Sequence, residues 1–171
     1  ASVLALALAA VVACSGREAK PPPNIIYILA DDLGYGDVSC MNPDAAWNTQ
    51  HIDRIAREGM RFTDFHSNGA MCSPTRAALL TGRYQQRMGI ERALGETSDG
   101  LDKTEETIAE RLRKAGYSTA IYGKWHLGRR PEDGPIHHGF DEFRGHLHGA
   151  VDYASHVDRY GNVDWWHNDR L

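Results

Sequence analysis

Six side chains in this sequence are of types and spacing that could do chemistry together: Cys72, Arg76, Lys124, His126, Asp31 and Asp32. Cys72 stands in the run Ala70-Met71-Cys72-Ser73-Pro74-Thr75-Arg76, at the mouth of a helix. Pro74 suits the first helical position, where no N–H partner is needed. Arg76 follows Cys72 by one helical turn and returns to the same side. A reactive side chain, unsatisfied helix N–H groups and a fixed guanidinium then face one small volume, which attracts a tetrahedral oxyanion. The plain alternative is a structural cysteine buried at a helix start. Lys124 and His126 in Gly123-Lys124-Trp125-His126 alternate by two, so an extended segment points both to one side. The lysine is a point charge for an anionic oxygen and the histidine exchanges a proton near neutral pH. Read alone, both fit a solvated surface. Asp31 and Asp32 are adjacent carboxylates that repel each other unless a cation intervenes. Their hard oxygens favour Ca²⁺ or Mg²⁺ over Zn²⁺. A turn with a helix cap is the simpler reading of Asp-Asp-Leu-Gly by itself.

The elements that must position these residues follow from local patterns. The apolar run Asn24–Ala30 predicts a strand buried on both faces, with the aspartates at its carboxyl end, where open α/β sheets bind ligands. Residues 48–58 carry Ile52, Ile55 and Ala56 at helical spacing before Gly59. Residues 60–65 predict a short strand leading to the Cys72 loop. Ala77 to Leu80 are helix formers and Gly82 is a stop. Residues 84–102 show little periodicity and predict a surface loop. The clearest helix opens at Thr104, with Thr104 and Thr107 as possible caps, Ile108, Leu112 and Ala115 on one face, and Gly116 as its end. Residues 117–122 then predict a strand that delivers Lys124 and His126, giving β–α–β alternation. Residues 131–171 are rich in Gly, His and aromatics and show few clear elements.

Composition bounds the rest. The 171 residues suffice for one domain with a core; 42% are hydrophobic and 25% charged, as in ordinary globular proteins. A net charge of -4 leaves no basic footprint, so nucleic acid is not an expected partner. An anionic substrate needs a local cationic site. Residues 2–13 form an apolar run that resembles the core of a secretion signal and is short for a membrane span. Val11-Val12-Ala13-Cys14-Ser15-Gly16 resembles a bacterial lipobox, in which the cysteine becomes the lipidated first residue. The expected organisation is a signal over 1–14, a Pro-rich linker over 15–23 and a folded region over 24–171. If Cys14 carries lipid and Cys72 is modified, only Cys40 remains, so no disulfide is expected in this stretch.

Cys-x-Pro-x-Arg followed by Leu80-Thr81-Gly82-Arg83 resembles the sulfatase signature, and Gly116-Tyr117-Ser118-Thr119 through Gly123-Lys124-Trp125-His126 resembles the second signature of that family. Gly139–Gly145 and Asp152–His156 resemble the region that follows in sulfatases of the N-acetylgalactosamine-4-sulfatase type. The resemblance covers about Asn24 to Asn168. It implies an α/β alkaline-phosphatase-like sulfatase fold with a mostly parallel central sheet, in a protein a few times longer whose N-terminal part this chain would be. It implies that Cys72 is converted to formylglycine by a formylglycine-generating enzyme, with the aldehyde hydrate as nucleophile. Asp31, Asp32 and the converted Cys72 would hold Ca²⁺, with Mg²⁺ as the alternative. Arg76 would hold the hydrate, Lys124 would bridge hydrate and sulfate, and His126 would take the proton when sulfate leaves. The substrate implied is a sulfate ester. The apolar run and the lipobox add the expectation of an exported protein, in the periplasm or anchored as a lipoprotein to the outer membrane of a bacterium, and that address points to a sulfated glycan as the ester. Trp165 and Trp166 could stack on a sugar ring, or pack in the core.

Two other readings stay open on the sequence. Phosphate or phosphonate ester hydrolases of the same superfamily share the cysteine motif. A non-catalytic glycan-binding lipoprotein would need neither a convertible cysteine nor Gly-Lys-Trp-His. The histidines at 137, 138, 146, 148, 156 and 167 suggest zinc, but no helical ligand pair or cysteine pair accompanies them.

Overall fold

Among the described residues, three α-helices and a three-stranded mixed sheet carry the fold: α1 (Gln50–Glu58), α2 (Cys72–Thr81), α3 (Ile108–Lys114), β1 (Ala120–Lys124), β2 (Glu142–His146) and β3 (Trp166–His167). Short 3₁₀ turns lie at Tyr35–Asp37, Gln85–Met88, Pro131–Asp133 and Pro135–His138. The computed structural model describes residues 21–171. The expected signal over 1–14, Cys14 with its lipobox and most of the 15–23 linker lie outside the described residues. Two units are distinguished, one ending at Gly34 and one spanning Tyr35–Leu171.

The sheet order is β1-β2-β3. β1 and β2 are parallel, with Ala120 opposite Glu142 and Lys124 opposite His146; β2 and β3 are antiparallel. The β1–β2 crossover contains two 3₁₀ turns and no α-helix. Gly123 and Gly145 face each other in the register, and a Cβ on Gly145 would meet the Gly123 carbonyl oxygen at 1.9 Å. Only a glycine allows that approach.

α2 begins at Cys72, with Met71 as its extended cap residue, so Pro74 is the third helical residue and not the first. Proline is accepted there because the first turn has no intrahelical acceptor for its missing N–H. Gly82 ends the helix at φ 67 and donates to the Ala78 carbonyl at 2.9 Å. α3 starts about one turn of sequence later than Thr104: Thr107 is its cap, in a reciprocal capping box with Glu110. Its other end is a Schellman cap, with Gly116 at φ 87, Tyr117 N–H on the Leu112 carbonyl and Gly116 N–H on the Arg113 carbonyl. Tyr117 is thereby consumed by the helix end, and the strand predicted from residue 117 begins at Ala120.

The core consists of Ala77 from α2, Ala109 from α3, Phe143 from β2, and Ile90, Leu101, Trp125, Leu127, Phe140 and Leu147 from the segments between. Trp125 is fully buried and its indole N–H donates to the Asp133 carbonyl at 2.8 Å.

Two expected strands do not form. Residues 24–30 have no strand structure, and Ile26 and Ile28 are 85% and 81% exposed. Residues 60–65 are likewise irregular, with Phe62 and Phe65 exposed. An apolar run states a preference, but a strand exists only when a neighbour supplies ladder hydrogen bonds. Among the described residues no strand pairs with either run. Conversely, β2 and β3 lie in the tail where periodicity gave no sign of them.

Candidate active site

The α2 N-terminus, the end of β1 and the 90–94 segment converge on Cys72. Cys72 occupies the first helical position, half-buried, as a free thiol. By position, Cys72 and Ser73 carry helix N–H groups with no intrahelical partner. Across 54 residues of sequence, His126 Nδ1 lies 3.0 Å from Cys72 Sγ. His126 Nε2 lies 3.1 Å from the Leu94 carbonyl oxygen. A carbonyl only accepts, so Nε2 carries the hydrogen and donates to Leu94. The neutral ring then presents the Nδ1 lone pair to the Cys72 S–H. The Leu94 segment is itself fixed by its N–H on Ser73 Oγ at 3.0 Å, and Ser73 is fully buried. Cys72, Ser73, Leu94 and His126 thus close a ring of hydrogen bonds.

His126 does not reach this place by strand alternation. β1 ends at Lys124, and His126 has φ 53. A left-handed residue after the strand swings the imidazole toward α2, a conformation uncommon for a side chain larger than glycine. Burial pushes its pKa down from 6.5 to about 4, helped by the charges of Lys124, His148 and Arg76 and opposed by the Leu94 hydrogen bond. The ring is therefore neutral at physiological pH, which is the form that accepts a proton.

Arg76 Nη1 donates to the Lys124 carbonyl oxygen. The expected single-sided pair of Cys72 and Arg76 thus takes a more specific form, in which the guanidinium ties α2 to the end of β1 as well as adding charge. His146 stands opposite Lys124 on the neighbouring strand, and its pKa is lowered chiefly by burial, with Lys124 and Arg76 contributing. Lys124, Arg76, His126 and Cys72 are therefore one electrostatic neighbourhood.

Asp31 and Asp32 belong to the other unit and are both exposed. Their paired hard oxygens match the donors a Ca²⁺ or Mg²⁺ ion takes, but Ca²⁺ takes about six to eight of them. Among the described residues no group of three or more His, Cys, Asp or Glu side chains is placed to hold a metal. The aspartates are suitable ligands in an incomplete set.

Trp165 stacks on His156 with ring centres 4.4 Å apart and planes 9° apart. Trp166 Nε1–H donates to Asp164 Oδ1 at 2.7 Å. Both tryptophans have partners within the chain, which favours the packing alternative over an open sugar platform. The sequence reading missed Ser73 and Leu94. Ser73 lay inside the signature, and a hydroxyl next to Cys72 at a helix start was a usable sign. Leu94 contributes a backbone carbonyl, which no residue type announces.

Comparison with known proteins bears on this geometry. A family model described as Sulfatase matches residues 23–167. Arylsulfatase A of Bos taurus is 49% identical over 146 residues, covering 83% of this chain and 28% of that protein. Arylsulfatase G of Mus musculus is 48% identical over 132 residues, covering 77% of this chain and 25% of that protein. The crystal structure of Ps i-CgsB superposes with a TM-score of 0.74 at 32% identity, over 84% of this chain and 35% of that one. A further structure of Ps i-CgsB, in complex with k-i-k-neocarrahexaose, is matched at 35% identity over 71% of this chain and 27% of that one, with a TM-score of 0.67. The chain spans about a quarter of the length of the curated relatives it matches. With both signatures meeting at Cys72 and His126, and a family match across nearly all the described residues, the chain belongs to the sulfatase family.

Proposed function

We propose that the full-length protein hydrolyses sulfate esters at a formylglycine made from Cys72. The observation that carries this reading is the 3.0 Å approach of His126 Nδ1 to Cys72 Sγ, which joins the two signatures at one atom. When formed, the hydrated aldehyde supplies one hydroxyl as nucleophile toward sulfur and a second whose deprotonation releases sulfate.

This chain's own residues supply the surroundings for that chemistry. His126 Nδ1 accepts the proton from the side-chain oxygen at position 72, and Leu94 fixes the tautomer that leaves Nδ1 bare. Burial keeps the ring neutral and ready. Lys124 and Arg76 bring positive charge to where the sulfuryl oxygens gain negative charge, in a partly dry site where such charge acts strongly. Arg76 is anchored through the Lys124 carbonyl, so its charge is placed before substrate arrives. Asp31 and Asp32 would be ligands to a divalent cation, Ca²⁺ first, and such an ion would supply Lewis-acid chemistry.

The substrate class proposed is a sulfated glycan. The support is the relative Ps i-CgsB, which holds k-i-k-neocarrahexaose. The test is hydrolysis by the full-length protein of an aryl sulfate, an aryl phosphate and a sulfated oligosaccharide. Both sulfates are expected to react, with the oligosaccharide at higher kcat/KM because remote contacts contribute to transition-state binding. Chelation is expected to remove the activity and Ca²⁺ to restore it. Preference for the phosphate, or restoration by Zn²⁺ alone, would overturn the assignment.

We also propose export and lipidation at Cys14, from the apolar run before it and the Val-Val-Ala-Cys sequence. No helix among the described residues is long and apolar enough to cross a membrane. The mature protein is expected in the detergent phase on partitioning, and Cys14→Ser is expected to leave the signal uncleaved or the protein released. A wild-type protein found wholly in the cytoplasm would contradict this.

A further inference from the structure

His126 is flanked by a short segment of chain, residues 146–149, that the catalytic reading does not use. Its backbone N–H donates to the Leu147 carbonyl at 3.1 Å, and the preceding Trp125 N–H donates to the His146 carbonyl at 2.9 Å. Its ring lies against Gly149: a Cβ added there would sit 2.5 Å from Cε1, 2.9 Å from Nε2 and 3.0 Å from Nδ1. Carbon atoms do not approach so closely, and the ring cannot simply rotate away. Both its nitrogens are engaged, one with Cys72 and one with Leu94. Any side chain at 149 therefore pushes the imidazole off one of these partners.

The segment is in turn fixed by Asp164. This buried carboxylate accepts from Leu147 N–H at 3.0 Å on one oxygen and from His148 N–H at 2.8 Å on the other. Trp166 Nε1–H adds a third bond at 2.7 Å. A carboxylate meets both amides as an acceptor, whereas a carboxamide turns a donor toward one of them. Asp164 belongs to the Asp-Trp-Trp-His stretch, whose tryptophans pack within the chain.

We infer that Gly149 and Asp164 are positioning residues for His126: Asp164 pins the Leu147–His148 backbone, and Gly149 keeps the wall beside the imidazole thin enough for Nδ1 to face position 72. This inference rests on His126 acting at that position. It adds two residues, neither of which touches Cys72 in the structure, to the determinants of the reaction.

The test uses the full-length protein in two forms. In the matured enzyme, Gly149→Ala is expected to lower kcat on an aryl sulfate by about 10²-fold, the size of loss that a roughly 1 Å displacement of a catalytic group causes, with KM within about threefold. Asp164→Asn is expected to act in the same direction and less strongly. In protein made without the maturation enzyme, position 72 remains a thiol, and iodoacetamide alkylation of the Cys72 peptide is followed by mass spectrometry across pH. His126→Ala is expected to change the rate of that alkylation severalfold near neutral pH, because the imidazole whose Nδ1 lies 3.0 Å from the sulfur is gone. Gly149→Ala is expected to reproduce that change and to add nothing in the His126→Ala background, since there is no ring left to displace. A wild-type alkylation profile for Gly149→Ala, or a full additional effect in the His126→Ala background, would overturn the inference. If the wild-type enzyme hydrolyses no sulfate ester, the functional reading fails, while the alkylation cycle still decides the positioning roles.

Discussion

Cys72→Ala in the full-length protein is expected to lower aryl sulfate turnover on the order of 10³-fold or more, with the fold retained. The substitution removes the one side-chain atom that faces the His126 lone pair. No neighbouring group can take over. Ser73 Oγ is fully buried and accepts the Leu94 N–H, so it stands in the scaffold and not in the open site. Thr75 Oγ1 donates to the Gly69 carbonyl and is likewise committed. Alanine keeps the first position of α2 helical, because its propensity is the best of any residue. The structural cost is one acceptor left without its thiol, about 1–3 kcal/mol at most for a buried group. Thermal melting and kcat measured on the same preparation separate the two outcomes. A folded Cys72→Ala protein that kept more than a few per cent of its activity would remove Cys72 as nucleophile.

The parts of this fold that were legible in the sequence are those whose signals are local. Gly82 and Gly116 end helices because each is needed at positive φ within a turn of the residues it caps. Thr107 and Glu110 are three apart and close a capping box on themselves. What was illegible depends on distant partners. The Asn24–Ala30 run has the composition of a buried strand, yet its isoleucines are exposed, since burial on two faces needs neighbours that the run cannot specify. β2 reads Glu-Phe-Arg-Gly-His and shows no apolar alternation. It is a strand because Gly145 fits against Gly123, a match visible only once the chains are side by side.

The candidate site divides along the same line. Cys72, Arg76, Lys124 and His126 were legible because two motifs marked them, and the structure brings them into one neighbourhood. The way they meet was not. Arg76 was expected beside Cys72, and one of its donors instead reaches the Lys124 carbonyl. Leu94, Gly149 and Asp164 act through a carbonyl, a missing side chain and a pair of backbone amides. None of these leaves a chemical label in the residue type.

Replacing His126 by alanine is expected to lower kcat on an aryl sulfate by about 10²–10⁴-fold, the usual contribution of a positioned proton acceptor. The geometry sets the direction. Nδ1 is bare because Nε2–H is held by Leu94, so the ring can only take a proton from the group at position 72. The pH dependence has a definite sign. His126 must be neutral to act, and its pKa in the folded protein is about 4 against an ordinary 6.5. The acid limb of kcat/KM is therefore expected near pH 4, with no break at 6.5, and a break at 6.5 would mean that the ring is solvated or not the proton acceptor. Stability runs differently over that interval. An unfolded chain takes up the proton near 6.5, while the folded chain resists it until about 4, so the stabilising contribution of neutral His126 is complete above 6.5 and is lost as the pH falls toward 4. Burial also lowers the pKa values of His138, His146 and His148, so all four histidines act in the same sense. Between pH 6.5 and 4 the protein is expected to melt at progressively lower temperature while its initial-rate kcat/KM stays level. A kcat/KM that fell in parallel with the melting temperature would tie the lost activity to unfolding, and His126 would lose its claim to set the acid limb.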